Sequence, residues 1–317
     1  MIWLSWRLQR TETIVTAALL ALLAVAFVPE GIHLANLFDQ EHVARCVNRQ
    51  TQACSFVVGN FTANAGTLQA LFDGGWFNLI PGLIGVALAV PVLLELENGT
   101  VRLAWTQSVT RRRWVATKLG LAVGTVLVAA AGFSLLFTWY QRPFDQIYGR
   151  WDKFDFDWIV PLGYALFALG LALAIGVLLR RSAVALVIAY ALYVAGRLFV
   201  ESWLRKRFIS PLSATWGPHS VGPNLSKAWV ISQAPSDKAG HPLAGGAAVF
   251  QECARSGPHG FKGVSESCMI RHGAGFTHAV FEPGSRFWAI QGIEFGLFAG
   301  VAVLLIAFAA WRLLRTD

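Results

Sequence analysis

The sequence predicts an all-α polytopic membrane protein with six transmembrane helices, an N-terminal interfacial helix and a disulfide-stabilised extracytoplasmic cap. Three observations carry that prediction. Of 317 residues, 55% are hydrophobic and only 14% charged, with a mean hydropathy of +0.52, whereas a soluble domain carries roughly 25% charge to cover itself with polar surface. The apolar residues gather in blocks of about 20, enough at 1.5 Å per residue to cross a hydrocarbon core of roughly 30 Å. All four cysteines fall in two long polar connections between those blocks.

In chain order, residues 1–12 (MIWLSWRLQRTE) mix Trp3, Leu4, Trp6 and Leu8 with Arg7, Gln9 and Arg10, the composition of a short helix lying in a membrane interface. The first span follows at about 14–34. Its Ala24-Val25-Ala26 resembles a signal cleavage site, but further spans follow whichever way that stretch is processed. The second span covers about 76–96 and contains Pro81 and Pro91, which predict a kinked or broken helix. The remaining spans are placed at about 114–140, 158–179, 183–204 and 287–314. The chain therefore divides into the interfacial helix 1–12, spans 1–5 over 13–204, a loop domain at 205–286, and the sixth span with its tail at 287–317. Two connections are long and polar (35–75 and 205–286), 141–157 is acidic, and 97–113 and Arg180-Arg181-Ser182 are short. No periodicity assigns a fold to residues 205–286.

Basic residues set the orientation. With a cytoplasmic N-terminus, the inner face collects Arg7, Arg10, Arg102, Arg111, Arg112, Arg113, Lys118, Arg180, Arg181, Arg312 and Arg315 in short stretches beside span ends, where the positive-inside rule applies best. The C-terminus is then cytoplasmic too. Arg205-Lys206-Arg207 is an unexplained exception on the outer side. Cys46, Cys54, Cys253 and Cys268 all land outside, where disulfides persist. Proximity favours Cys46–Cys54 and Cys253–Cys268 among the three pairings that four cysteines allow. Tryptophans 76, 114, 139, 158, 203, 288 and 311 stand at or near span ends, where an amphipathic ring suits the headgroup region. The net charge of +8 and pI of 9.7 thus encode topology, not nucleic-acid binding. An excess of Arg over Lys with much Ala and Gly points to a GC-rich bacterial genome, hence a bacterial plasma membrane.

No G-x-x-x-x-G-K-[ST], H-E-x-x-H or G-x-S-x-G occurs, so the chain has no recognisable ATPase site of its own and no catalytic residue, cofactor site or metal site is assigned. The informative inner stretch is Glu95-Leu96-Glu97-Asn98-Gly99-Thr100, then Arg102, then Arg111-Arg112-Arg113-Trp114 and Lys118. Acids come first and bases last, as suits the dipole of a short helix. The pattern E-x-E-x-G-T, a helix, a T/S-R-R-x-W turn and a Lys opening the next span resembles permease subunits of the ABC-2 exporter family. The opening M-I-W-L-x-W-R resembles that family's elbow helix. The likeness covers the first half best. The 205–286 segment, far larger than the family's usual outer loops, matches no pattern in it. The resemblance implies a six-span permease pairing with a second permease, as a homodimer, and with P-loop ATPase subunits that carry ATP and Mg. Residues 97–108 would be the coupling helix, with Glu95, Glu97, Asn98, Gly99, Thr100, Arg102 and Arg111 to Arg113 at the ATPase contact.

Three further groups stand out. Gly120 and Gly124, and Gly292, Gly296 and Gly300, recur every fourth residue, the spacing that lets helices pack closely within one chain or across a dimer. Glu30, His33, Arg197, Glu201 and Glu294 lie at similar outer depth in the spans. Ionised groups there cost several kcal/mol unless paired or hydrated, so Arg197 and Glu294 predict a buried pair or polar cavity on a translocation path with Glu30 and Glu201. The histidines at 219, 241, 259, 272 and 278 have no H-x₃-H spacing and read as solvated or packed. The expected function is ATP-driven export, with membrane lipid around it; the alternative is a membrane-anchored sensor whose cap binds a ligand.

Overall fold

A computed structural model describes residues 2–47, 49, 51–64, 76–99, 110–217, 220–243, 245–257, 260–273 and 275–315. The chain forms two compact units. One comprises residues 1–147, 153–205 and 288–317, the other residues 148–152 and 206–287.

The first unit is helical. Among the described residues, six helices are long and apolar enough to span a membrane: Thr13–Gln40, Phe77–Glu97, Arg111–Tyr148, Val160–Leu179, Ser182–Arg207 and Gly284–Arg315. Helix α1 (Ile2–Gln40) runs unbroken through Pro29, so residues 2–12 continue into the first span instead of forming a separate element. Helix α2 (Gln52–Ala63) lies in the first long connection. Thr51 caps it by accepting from the Cys54 backbone N–H, and the Cys46–Cys54 disulfide closes its base. Phe61, fully buried, seats α2 against Phe38 of α1 and Phe144 of the third span.

The second span is broken, as its prolines predict. Helices α3 (Ile80–Ala87) and α4 (Val90–Glu97) each carry Pro in the first turn, where the missing N–H and fixed φ are harmless. Pro91 gives the Ala87 carbonyl no donor, and the ladder tightens at the joint, with Ala89 N–H donating to Val86 O at 3.2 Å. Helix α5 (Arg111–Tyr148) continues past Pro143, so the connection read as 141–157 is helical for its first half. Helix α6 (Val160–Leu179) ends on left-handed Arg180, and α7 (Ser182–Phe199) follows, extended by a π-helical turn at Val200–Leu204 and a 3₁₀ turn at Arg205–Arg207. The last span is α10 (Phe287–Arg315).

Burial orders the bundle: α6 is 61% buried in its apolar stretch against 17% for α1 and 22% for α10, so α6 is central. Glycines make that centre close. A Cβ on Gly85 would lie 2.2 Å from Ala165 O, on Gly82 2.1 Å from the Tyr193 ring, and on Gly176 2.1 Å from Leu93 Cδ2. Gly163 and Gly170 face Phe295 and Ala302 of α10 in the same way. Beside this core, Phe137 gathers Phe27, Phe77 and Phe133 at centroid distances of 4.9, 5.5 and 4.6 Å.

The second unit adds β structure that the all-α expectation omits. Strands β1 (Leu212–Trp216), β2 (Trp229–Ser236) and β5 (Phe276–Glu282) form an antiparallel sheet in the order β1-β5-β2, with a bulge between Val230 and Ser232. Between β2 and β5 come helix α8 (Gly246–Cys253), the hairpin β3 (Ala254–Gly257) and β4 (Gly260–Val264), and helix α9 (Glu266–Arg271). The Cys253–Cys268 disulfide ties α8 to α9. Trp151 meets Trp229 at a tilt and Phe287 edge to face, with ring centroids 5.6 and 5.4 Å apart, as the aromatic anchor of this unit.

Candidate functional site: a buried charge network in the bundle

The turn joining α5 to α6 is held from below. Thr138 Oγ1 donates to Asp157 Oδ1 at 2.8 Å and accepts from the Trp158 N–H at 3.3 Å, while Ser134 donates to the Trp158 carbonyl. Gln291 Nε2 of α10 donates to Phe154 O at 2.8 Å. These bonds fix Asp155, which points among α6, α7 and α10.

Around Asp155 the bundle assembles charged side chains from three segments and the Tyr164 hydroxyl from a fourth. Arg205 donates Nε to Glu294 Oε2 at 2.7 Å and Nη2 to Glu294 Oε1 at 2.8 Å, a bidentate pair, and its Nη2 also pairs with Asp155 Oδ1. Arg197 Nη2 lies 3.1 Å from Asp155 Oδ2 and 3.6 Å from Glu201 Oε2, and its Nη1 donates to the Asn78 carbonyl at 2.9 Å. The Tyr164 hydroxyl stands 2.8 Å from Asp155 Oδ1 and 2.5 Å from Glu294 Oε1. Its single proton serves one of them at a time. Rings cover both guanidiniums, Phe154 at 4.3 Å from Arg205 and Tyr164 at 4.9 Å from Arg197.

Glu294 is fully buried, Arg197 and Arg205 nearly so, and Glu201 is half-exposed. Burial pushes the Asp155 carboxyl up, but the Arg205 and Arg197 guanidiniums more than offset it, leaving it at about 2. Three carboxylates, Asp155, Glu201 and Glu294, thus meet two guanidiniums, so the cluster carries formal charge −1. The π-helical turn at Val200–Leu204 is what aligns it. One extra residue in the turn puts Arg205 the equivalent of seven helical positions beyond Arg197, roughly two turns, which returns it to the same face.

The structure therefore gathers Arg197, Glu201 and Glu294, as expected, but Arg197 and Glu294 are joined through Asp155, Tyr164 and Arg205 instead of pairing directly. Glu30 lies half-buried on α1 and makes none of these bonds; His33 is exposed on the same helix. Asp155, Tyr164, Arg205 and Gln291 were not foreseen. Arg205 resolves the exception in the charge pattern: the first basic residue of the 205–207 run is a buried counter-ion, not an interfacial charge.

At the opposite ends of α5 and α7, the predicted coupling acids are anchored. Glu95 pairs with buried Lys118 of α5. Glu97 accepts from the Ser182 N–H at 3.0 Å and from its hydroxyl, so a carboxylate of α4 satisfies the N-terminus of α7. Asn98 ends α4, and Gly99 follows at φ 66°, a conformation open to glycine. Thr100 and Arg102, with all of 100–109, lie outside the described residues; Arg111, Arg112 and Arg113 open α5. Among the described residues nothing packs on the predicted glycine stripes: a Cβ at Gly120, Gly124, Gly292, Gly296 or Gly300 would meet none of them within 4 Å. Gly120 and Gly124 line an open apolar groove with Gly132, Thr16 and Leu20.

Six spans around a network of buried ions define an integral membrane protein with a polar site inside its helical bundle. The profile of the family described as ABC-2 membrane transporter related matches residues 17–205, more than half of the chain, and the chain belongs to that family. It is in general terms a transporter permease, as the resemblance in its inner loop implied. The match takes in Asp155, Tyr164, Arg197, Glu201 and Arg205 and stops short of Glu294. Comparison with curated proteins and with solved structures gave no match.

Proposed function

We propose that this chain is the permease subunit of an ATP-driven exporter in a bacterial cell membrane, with both termini cytoplasmic and separate P-loop ATPase subunits, carrying ATP and Mg, as its motor. The observation that carries the reading is the grip of Glu97 on Ser182. It fixes the base of the predicted coupling segment to the start of the span whose far end bears Arg197 and Arg205. A 26-residue span is about 39 Å long at 1.5 Å per residue, so a displacement of the coupling segment tilts a rigid rod that ends in the charge network. Glu95 and Lys118 give the same push a second route, along α5. Partner ATPases moving against residues 97–108 would thereby loosen the packing around Asp155 and open the path there. The exposed glycine faces support a second permease, as a homodimer, since close helix approach needs a partner and no described residue of the chain fills that place.

The test is affinity purification of the tagged chain from its native membrane with an ATPase assay, for the parent, Glu97→Arg and Gly99→Pro. Proline cannot adopt the φ of Gly99. A stoichiometric P-loop ATPase that co-purifies with the parent and is lost or uncoupled in both variants is expected. An intact, folded parent with no ATPase and no nucleotide-dependent activity overturns the proposal and turns attention to ligand binding by residues 206–287.

A further inference from the structure

In the second unit, Cys253 Sγ, Cys268 Sγ and a ring nitrogen of His272 all lie within 4.8 Å of one another. His272 Nε2 is also 3.6 Å from Glu252 Oε1. Two sulfurs, an imidazole and a carboxylate are the donor set of a tetrahedral zinc site, for which Zn–S and Zn–N distances of about 2.3 and 2.0–2.1 Å put ligand atoms roughly 3.5–3.8 Å apart. The disulfide occupies both sulfurs in the oxidised chain. We propose that this corner of the molecule is a redox-gated zinc site: reducing the Cys253–Cys268 bond creates a Cys₂His site for Zn(II), with Glu252 as fourth ligand or as the partner that orients His272.

The backbone explains why the ligands stay together once the S–S bond is gone. Cys253 ends α8 and leads directly into the β3–β4 hairpin, whose register pairs Ala254 with Val264. The hairpin returns the chain to Ser265, whose N–H donates to the Cys253 carbonyl at 2.8 Å, and Ser265 starts α9. Cys268 follows on α9. His272 caps that helix, its N–H donating to the Cys268 carbonyl at 3.2 Å. Cys268 and His272 are therefore four residues apart, one turn, on one face. The hairpin pairing brings the two chain segments into contact through backbone bonds that do not involve the sulfurs. Access is also graded: Cys253 is buried, Cys268 is half-buried, and His272 and Glu252 are exposed, so reductant and ion approach from the Cys268 side.

The chemistry balances. A dithiol reductant gives two electrons and two protons to the disulfide and is itself oxidised to a disulfide. Zn(II) then displaces both thiol protons, forming two Zn–S bonds and one Zn–N bond. In the oxidised chain only His272 and Glu252 remain as donors, too few for a closed site. The inference does not depend on export and applies equally to a chain that signals.

The experiment uses the full chain purified in detergent, reduced with dithiothreitol, freed of reductant without air, and titrated with Co(II) as a spectroscopic stand-in for Zn(II). One equivalent of Co(II) is expected to give the visible bands of tetrahedral thiolate-bound cobalt, bleached by Zn(II) and absent from the oxidised chain. His272→Ala, which keeps its disulfide and can be shown to fold before reduction, is expected to lose affinity by more than the roughly tenfold to hundredfold typical of an outer-shell partner. Glu252→Gln is expected to lose roughly tenfold. Cys46→Ser/Cys54→Ser keeps the signal. The proposal is overturned if the reduced chain shows no tetrahedral cobalt, if His272→Ala binds like the parent, or if the signal follows Cys46 and Cys54.

Discussion

Arg205→Leu isolates the pair at the heart of the network. The substitution removes both bonds to Glu294, at 2.7 and 2.8 Å, and the contact with Asp155. Removing one partner of a buried pair costs about 3–5 kcal/mol, because the remaining charge stays buried and uncompensated. Here the low end applies: Asp155 keeps Arg197 at 3.1 Å, and Glu294 keeps the Tyr164 hydroxyl at 2.5 Å. A loss of about 3 kcal/mol lowers the melting temperature by roughly 6–9 °C, taking about 2–3 °C per kcal/mol for a chain of this size. The assay is thermal unfolding in detergent followed by tryptophan fluorescence. The companion variant Arg205→Leu/Glu294→Leu removes one charge of each sign and leaves the cluster at −1, so apolar packing should restore most of the loss. Stability of the double variant equal to the sum of the two single losses, a coupling under about 1 kcal/mol, would refute the argument that these residues act as a pair.

Three other outcomes follow from the same structure. Asp155 is held at about 2 against an ordinary 3.8, so the folded state binds its proton less readily than the unfolded chain does. Its contribution of about 2 kcal/mol is present above pH 4 and is lost between about pH 4 and 2; Asp155→Asn should flatten the acid limb of a stability–pH profile over that window, and an unchanged limb contradicts the assignment. Gly85→Val should cost several kcal/mol or prevent folding, since its Cβ would meet the Ala165 carbonyl at 2.2 Å, whereas Gly296→Val, with no described residue within 4 Å, should leave the monomer's stability within about 0.5 kcal/mol of the parent; light scattering on the same samples reads whether Gly296 serves contact with a second copy. Ser182→Ala should remove the hydroxyl that donates to Glu97 and lower stability slightly, measured as thermal shift. An equal loss when Ser182→Ala is made on a Glu97→Ala background, which has no side-chain acceptor, shows that the two do not interact.

The spans were legible because a bilayer demands long apolar runs, and nothing else in this chain supplies them. Pro81 and Pro91 were equally plain, since two residues without an N–H ten positions apart leave two gaps in one helix ladder, whereas Pro29 and Pro143 each stand alone in a long helix that continues past them. Cys46–Cys54 and Cys253–Cys268 followed from short separations of 8 and 15 residues. The strands were not legible: β5 pairs with β1 and β2 across long insertions, and each strand is at most 8 residues long. Local pattern in such short strands competes with turns and is decided by pairing partners. The glycine stripes left their partner open for a related reason: spacing shows that a face is narrow but not what lies against it. The packing glycines, Gly82, Gly85 and Gly176, have no such repeat and are set by Tyr193, Ala165 and Leu93.

By itself, then, the sequence determined what solvent the chain folds in, how many times it crosses and where its disulfides close, because these depend on local composition and short separations. It also carried the family resemblance in the stretch after the second span. The tertiary structure alone decided that Arg205 is a buried counter-ion. Its partners stand 50 and 89 residues away, and its aim depends on one extra residue in a helical turn. Charge interactions across such separations leave no periodic trace in the sequence, since only packing brings those groups within the few ångströms at which they act in a medium of low dielectric.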